Sequence, residues 1–558
     1  MNMRSKSFRL LALAVLCLAF GASDAVLAQV PGKKLIELGW DIPCTQYIRQ
    51  NYVEMEKNAP FDGILYTICP TYSAGESGVR DDSSDWMWSD KKWNRADYQT
   101  CIDDLRSCRF TKFHHNFIRM NFSPATVAWD DDAAWETLLE KVSICAWVAK
   151  ESGSEGIAPD FESYSKAMFN FKGGEGRSFA EAQALARKRG AQFIQAIQKE
   201  FPDATLLCLW MNSLHRDAGR SENPDLHLQS KVYALLPAFI NGMLSAAGEK
   251  ITLVDGCENG YYLDGQDAFQ KYALDMISLN GPCINLVEPG LRAKYRAQVQ
   301  CGFGVYLDMY VNPPESIYYR AAREGETRLD RFCDNLAAAW GAADEYVWVY
   351  GEKHRWWNIP EGQEKIRHWE DALPGISDRL RWLAHPDEHL AHLEKVAHEG
   401  GLGENLLQNS AFLEGENGKP SDWGFWQRED SNGKFKSVHF GENSAGGFEK
   451  VLNGCYIQGI SVKPGEKYLI LGKVRLLGNA SALISAQWQT EDQKWTHWGA
   501  NVAFVPPAGD EAEWKTIRGI VTVPKETGRL MILTCVYHQH TLEDECAFDD
   551  VEVYRLSP

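Results

Sequence analysis

The chain has 558 residues, a formal charge of −18 at pH 7 and 44% hydrophobic residues. That length exceeds one compact domain and sets two or three as the expectation. The acidic balance argues against nucleic acid and anionic lipid as partners, because phosphate binding needs clustered lysine and arginine.

Arg4, Lys6 and Arg9 precede the apolar run LLALAVLCLAFG, and the small residues Val26 and Ala28 follow it. This pattern predicts a secretory signal over residues 1–28, cut near Ala28, and a secreted or periplasmic protein without a membrane span. Export permits disulfides. The fourteen cysteines include no C-x-x-C pair, so no metal site is expected from them; Cys101 with Cys108 and Cys535 with Cys546 are the expected bridges.

From about residue 35 to residue 352, eight short apolar runs alternate with stretches of helical period. The runs are LIELGWD, FDGILYTI, HNFIRMNF, GIAPDFES, ATLLCLWMN, ITLVDGCEN, GFGVYLDMY and EYVWVYGE. DAAWETLLEKVSICAWVAKESG and FAEAQALARKRGAQFIQAIQKEF carry apolar residues at helical spacing between them. Eight alternations over this length predict an α/β fold, a (β/α)8 TIM barrel at 33–400. A doubly wound sheet is the rival, but no G-x-G-x-x-G follows the first run.

From residue 404 the pattern changes to short alternating segments separated by turn residues, such as ASALISAQWQ and GRLMILTCVYHQH. It predicts an all-β sandwich over 404–557. ENLLQNSAFLEG, VKPGEKYLILGKVR and AFDDVEVYRL resemble the jelly-roll carbohydrate-binding modules of secreted glycosidases. The resemblance implies sugar binding or bracing of the first domain. It also implies a structural calcium held by the opening loop and the closing pair Asp549–Asp550. SDWMWSDKKW, HRWWN and DWGFWQRED set tryptophans among polar residues and are expected to offer at least one sugar-stacking platform.

In a βα barrel, residues at the C-terminal strand ends meet at one mouth. Parity along each run supplies the candidates. They are Trp40 and Asp41 on the first, Arg119 and Asn121 on the third, Asp160 and Glu162 on the fourth, and Trp210 and Asn212 on the fifth. Asp255 and Glu258 end the sixth, Tyr306 and Asp308 the seventh, and Trp348 and Glu352 the eighth; Trp356 lies just beyond. Cleaving a glycosidic bond needs one carboxyl to protonate the leaving oxygen and a second to attack, activate water or stabilise the oxocarbenium charge. Glu162 is the expected acid, with Asp160 tuning it. Asp308, then Asp255, is the expected second carboxylate, and the remaining residues are expected substrate contacts. Each has a structural counterpart: Arg119 equally suits a salt bridge with Asp160, and Asp255 and Glu258 equally suit loop caps.

The barrel resembles the glycoside hydrolase superfold. Its D-x-E is similar to the end of the chitinase-type motif, although the earlier acids of that motif are missing. Asp160 with Asp255 is similar to the α-galactosidase arrangement, which would make Asp160 the nucleophile. The expected protein is therefore an exported glycoside hydrolase that uses no catalytic cofactor. The alternative is a non-catalytic glycan-binding protein on the same scaffold.

Overall fold

The computed structural model describes residues 32–71, 80–164, 166–171, 176–357, 359 and 365–556; the expected signal over 1–28 lies outside them. Nine short parallel strands make the first sheet: β1 (Lys34–Gly39), β2 (Gly63–Tyr66), β3 (Phe117–Asn121), β4 (Gly156–Asp160), β5 (Thr205–Cys208), β6 (Thr252–Asp255), β7 (Val299–Cys301), β8 (Phe303–Tyr306) and β9 (Tyr346–Gly351). They follow the order β7-β6-β5-β4-β3-β2-β1-β9-β8, so the sheet curls into a nearly closed barrel. Its two ends, β7 and β8, are separated in sequence only by Gly302. A Cβ there would lie 2.9 Å from Val254 Cγ1 and 3.0 Å from the Tyr346 carbonyl oxygen, which is why glycine occupies the seam.

All eight apolar runs contain a strand; β7 was not expected. Two of the long helices between the strands start where a side chain satisfies free backbone N–H groups, and one of them stops at a left-handed glycine. Asp131 accepts from the Ala134 N–H to start Asp132–Ser152, which stops at Gly153 with φ 77°. Ser178 and Glu181 form a reciprocal capping box at the start of Phe179–Glu200.

Register decides which face looks inward, because paired residues on parallel neighbours share a side. Phe117 and Tyr346, on non-adjacent strands, touch edge-to-face at 5.5 Å across the interior. Arg119, Asn121 and Asp160 share the inward parity of Phe117, and Trp348 and Tyr350 that of Tyr346. Trp348 is buried and fills the interior: its indole N–H donates to the Gly256 carbonyl at 2.8 Å. Its ring leaves no room for a Cβ on Gly304. Phe303 instead packs on Phe269 of the outer helix Gln266–Ile277. The outward parity includes Glu37 and Asp255.

By their packing, the described residues divide after Ile376. The second unit holds two antiparallel sheets built from β10 (Gly424–Gln427), β11 (Lys434–Phe440), β12 (Asn443–Glu449), β13 (Asn453–Ser461), β14 (Lys467–Leu477), β15 (Ser481–Gln489), β16 (Trp495–Thr496), β17 (Val502–Phe504), β18 (Trp514–Thr522), β19 (Arg529–Tyr537) and β20 (Glu545–Leu556). One sheet runs β10-β13-β19-β15-β16, with β17 also on β15; the other runs β11-β12-β20-β14-β18. Tyr456, Trp488 and Ile532 from the first meet Phe448, Ile470 and Phe548 from the second in a shared core. The helix Pro386–His398 sets Ala397 against Leu469, Leu471 and Tyr554, covering the other face of the second sheet. That outer apolar strip explains why residues expected to end the barrel pack with the sandwich.

Candidate active site

β3 and β4 run in register, which sets Asn121 beside Asp160 at their C-terminal ends. Asp160 Oδ2 accepts from Arg119 Nη2 at 2.7 Å and from Asn121 Nδ2 at 2.8 Å, and its Oδ1 accepts from the Glu162 N–H at 3.1 Å. Asn121 Nδ2 also donates to the Glu162 carbonyl at 2.9 Å. The turn carrying Glu162 is thus tied to the strand end rather than extending it. On its other side Arg119 Nη1 pairs with Asp85 at 3.0 Å. Asp85 comes from the loop after β2, which the buried Lys141 secures by donating to the Met87 and Ser89 carbonyls.

Glu162, Glu258 and Glu352 gather round this ion-paired group. Burial, then the Asp160 charge, pushes the Glu162 carboxyl up, against a hydrogen bond from Tyr164 and the Arg119 charge. Glu258 follows β6 and is pushed up to about 8, by burial first and then by Asp160 and Glu162; Glu352 adds to the rise and Arg119 opposes it. Such a carboxyl carries its proton at neutral pH. Glu352 accepts from the Tyr350 hydroxyl at 3.0 Å, and that hydroxyl accepts from Trp40 Nε1 at 3.1 Å. Trp40 is 64% exposed and offers an open aromatic face. Tyr306 stacks on Tyr350 at 5.3 Å and packs on Tyr261 at 5.1 Å, walling the mouth beside Glu352. Tyr233, whose phenol is raised by burial and by Glu162, Asp160 and Glu258, packs against Trp210 at 4.7 Å.

Several expected site residues serve the scaffold instead. Asp255 faces outward and is fully buried; it accepts from the N–H groups of Met211, Ser213 and Cys257 and from the Ser213 hydroxyl. Its oxygens are committed to shaping two loops, so it does not reach the mouth. Asp308 sits in a 3-10 turn, not on an extended strand. It is fully buried and accepts from the Glu352 and Lys353 N–H groups at 2.8 and 2.9 Å, which anchors the end of β9. Tyr310, at the end of the same turn, packs on Phe332. Asp41 accepts from the Trp356 and Trp357 N–H groups on the outer side of the barrel. Trp356 is buried against Phe61 and Trp369. Trp348 fills the interior; Asn212 is fully buried, its backbone carbonyl accepting from the Cys283 thiol while its side-chain amide meets no hydrogen-bond partner among the described residues. The tryptophan clusters are largely core as well, since Trp88, Trp357 and Trp423 are buried, while Trp426 is 42% exposed.

Asp85, Tyr164, Tyr233 and Tyr261 escaped the sequence reading. Tyr164 stands just past GIAPDFES, and Asp85 inside SDWMWSDKKW, whose tryptophans are its stronger sequence signal. Loops have no period from which to read a direction, and only the bulk of acids near strand ends signalled these positions.

Among the described residues no three His, Cys, Asp or Glu side chains converge as a metal cluster. At the end of the sandwich Asp550 is ion-paired with Lys473 at 2.7 Å, and Asp549 accepts from the Asp550 N–H. Calcium takes carboxylate oxygens; here one Asp550 oxygen faces the half-exposed Lys473 ammonium.

No family model matches the chain, and no curated protein matches it. Solved structures similar to it include the enzymatically active domain of tailspike protein 4 from bacteriophage CBA120, 14% identical over 27% of this chain and 21% of that one, with a TM-score of 0.23. An arabinose-bound α-L-arabinofuranosidase is 16% identical over 28% of this chain and 27% of that one, at 0.22. A carbohydrate-binding module in complex with β-1,4-galactotriose is 20% identical over 28% of this chain and all of that one, at 0.20. Similarity at these scores bears on neither the mechanism nor the substrate of this chain.

Proposed function

We propose that the protein is an exported glycoside hydrolase acting through carboxyl groups at the mouth of an eight-stranded barrel, in which β7 and β8 act as one strand broken at Gly302. The observation that carries this reading is the gathering of Asp160, Glu162, Glu258 and Glu352 at the C-terminal strand ends, where burial and its acidic neighbours push Glu258 up to about 8. A glycosidase needs a proton donor of this kind next to a second carboxylate. Glu258 is the general acid, in place of Glu162, because its carboxyl is the more strongly raised. Asp160, oriented by Arg119 and Asn121, is the second carboxylate, and Glu162 adds the negative potential that keeps Glu258 protonated. Trp40 supplies a stacking surface for a sugar ring.

The N-terminal pattern supports export, which a mature N-terminus near residue 29 would check. The opening and closing stretches of the sandwich support a jelly-roll module that holds glycan or braces the barrel.

Release of reducing ends from a panel of plant, algal and mucin glycans tests the activity. Glu258→Gln lowers turnover of the cleaved glycan by about 10²- to 10⁴-fold, the usual worth of a general acid. The same variant keeps near-wild-type turnover of a dinitrophenyl glycoside, whose leaving group needs no proton. Wild-type activity falls as pH rises through about 8, where Glu258 loses its proton. Equal losses on both substrates would remove Glu258 from the acid role.

A further inference from the structure

We propose that Cys455 and Cys535 are joined in a cross-strand disulfide when the chain folds in an oxidising compartment. The two are direct partners on the antiparallel pair β13 and β19. Directly opposed residues share a face and have Cα atoms about 4.5–5.5 Å apart, inside the range a disulfide spans. The Cys535 thiol lies close enough to that of Cys455 to act on it. Both sit with Met531 and Leu533 in an apolar cluster. Neighbouring Ile532 and Val536 on β19 face the shared core, so the cysteines line the opposite side of the sheet. That geometry overturns the bridge to Cys546 expected from spacing: Cys546 lies in the core between the sheets, with β19 itself in the way. All thirteen cysteines among the described residues are free thiols, so the proposal concerns an oxidised form of this pair.

The step is thiol–disulfide exchange with a low-molecular-weight disulfide such as oxidised glutathione. One cysteine thiolate attacks the small disulfide and releases one reduced thiol. The second cysteine then displaces the other, so two S–H bonds and one S–S bond break while the new S–S bond and two small thiols form. The protein loses two electrons and two protons, which the small disulfide takes up. The neighbouring Cys535 thiol, and then burial, push Cys455 well above its ordinary range. Little thiolate therefore forms once the sheet has closed, and the exchange belongs to folding rather than to the finished protein.

The full chain, refolded with reduced and oxidised glutathione, is denatured, alkylated without reductant and digested. The expected result is a linked Cys455–Cys535 peptide pair that becomes alkylated only after reduction. Recovery of both peptides singly alkylated, or of Cys535 linked elsewhere, would overturn the proposal. Reductant is also expected to lower the wild-type melting midpoint and to leave that of the Cys455→Ala, Cys535→Ala double variant unmoved. An equal drop in the double variant would equally overturn it.

Discussion

Burial and the adjacent Asp41 hold the Glu37 carboxyl well above its usual range. Neither Glu37 oxygen meets an N–H or O–H donor among the described residues, so the buried carboxyl is expected to keep its proton and to share it with the adjacent Asp41. Gly39 leaves the space into which both acids fold. A carboxyl whose value is raised by folding adds stability that is complete below its unfolded value, near 4.5, and is lost as pH rises through the folded one. Gln in place of Glu37 keeps the shape and donates to Asp41 without a proton to lose. Thermal melts should therefore show Glu37→Gln gaining on the wild type as pH climbs from 5 to 9. A constant difference across that span would mean that the pair shares no proton.

At the level of elements, strand ends do two jobs that look alike in sequence. Asp160 and Asp255 each close a strand, yet register turns the first inward and the second outward. Asp255→Ala would strand the N–H groups of Met211, Ser213 and Cys257, a loss on the order of 3 kcal/mol in urea unfolding. The alkaline limb of the activity profile should stay where it is, because the acid proposed to set that limb is Glu258. A shift in the limb would return Asp255 to the chemistry. The strands were legible because each is an apolar run with a polar end, and the helices Asp132–Ser152 and Phe179–Glu200 because their apolar residues recur at helical spacing. β7 was not, since its three residues Val299–Cys301 carry no alternation of their own. Parity told that Arg119 and Asn121 share a face but not which face is inside. It failed at Asp308 because the backbone had already left the strand. Glu258 was legible as a substrate contact or a loop cap but not as the acid; its burial, which no pattern records, separates it from the others.

For the whole molecule, the formal charge of −18 and the carboxylates at the mouth, facing a single ion-paired Arg119, set a field that repels anionic sugars. Among glycans of equal length, those bearing uronate or sulfate should show the lower kcat/KM. The handicap should shrink as ionic strength rises from about 0.01 to 0.15 M, because the screening length falls from about 30 to 8 Å. A salt-independent preference would place the discrimination in contacts rather than in charge. The pairing of β1 with β9 has a consequence in time. The opening strand receives one of its two neighbours only when residue 351 has been made. At synthesis rates of about 5–20 residues per second, that is a wait of roughly a quarter of a minute to a minute. Until then its backbone lies bare on one flank, open to a stray partner. A cell making this chain must shield that flank, and crowded ribosomes or a slowed elongation rate should cost yield before any other defect shows.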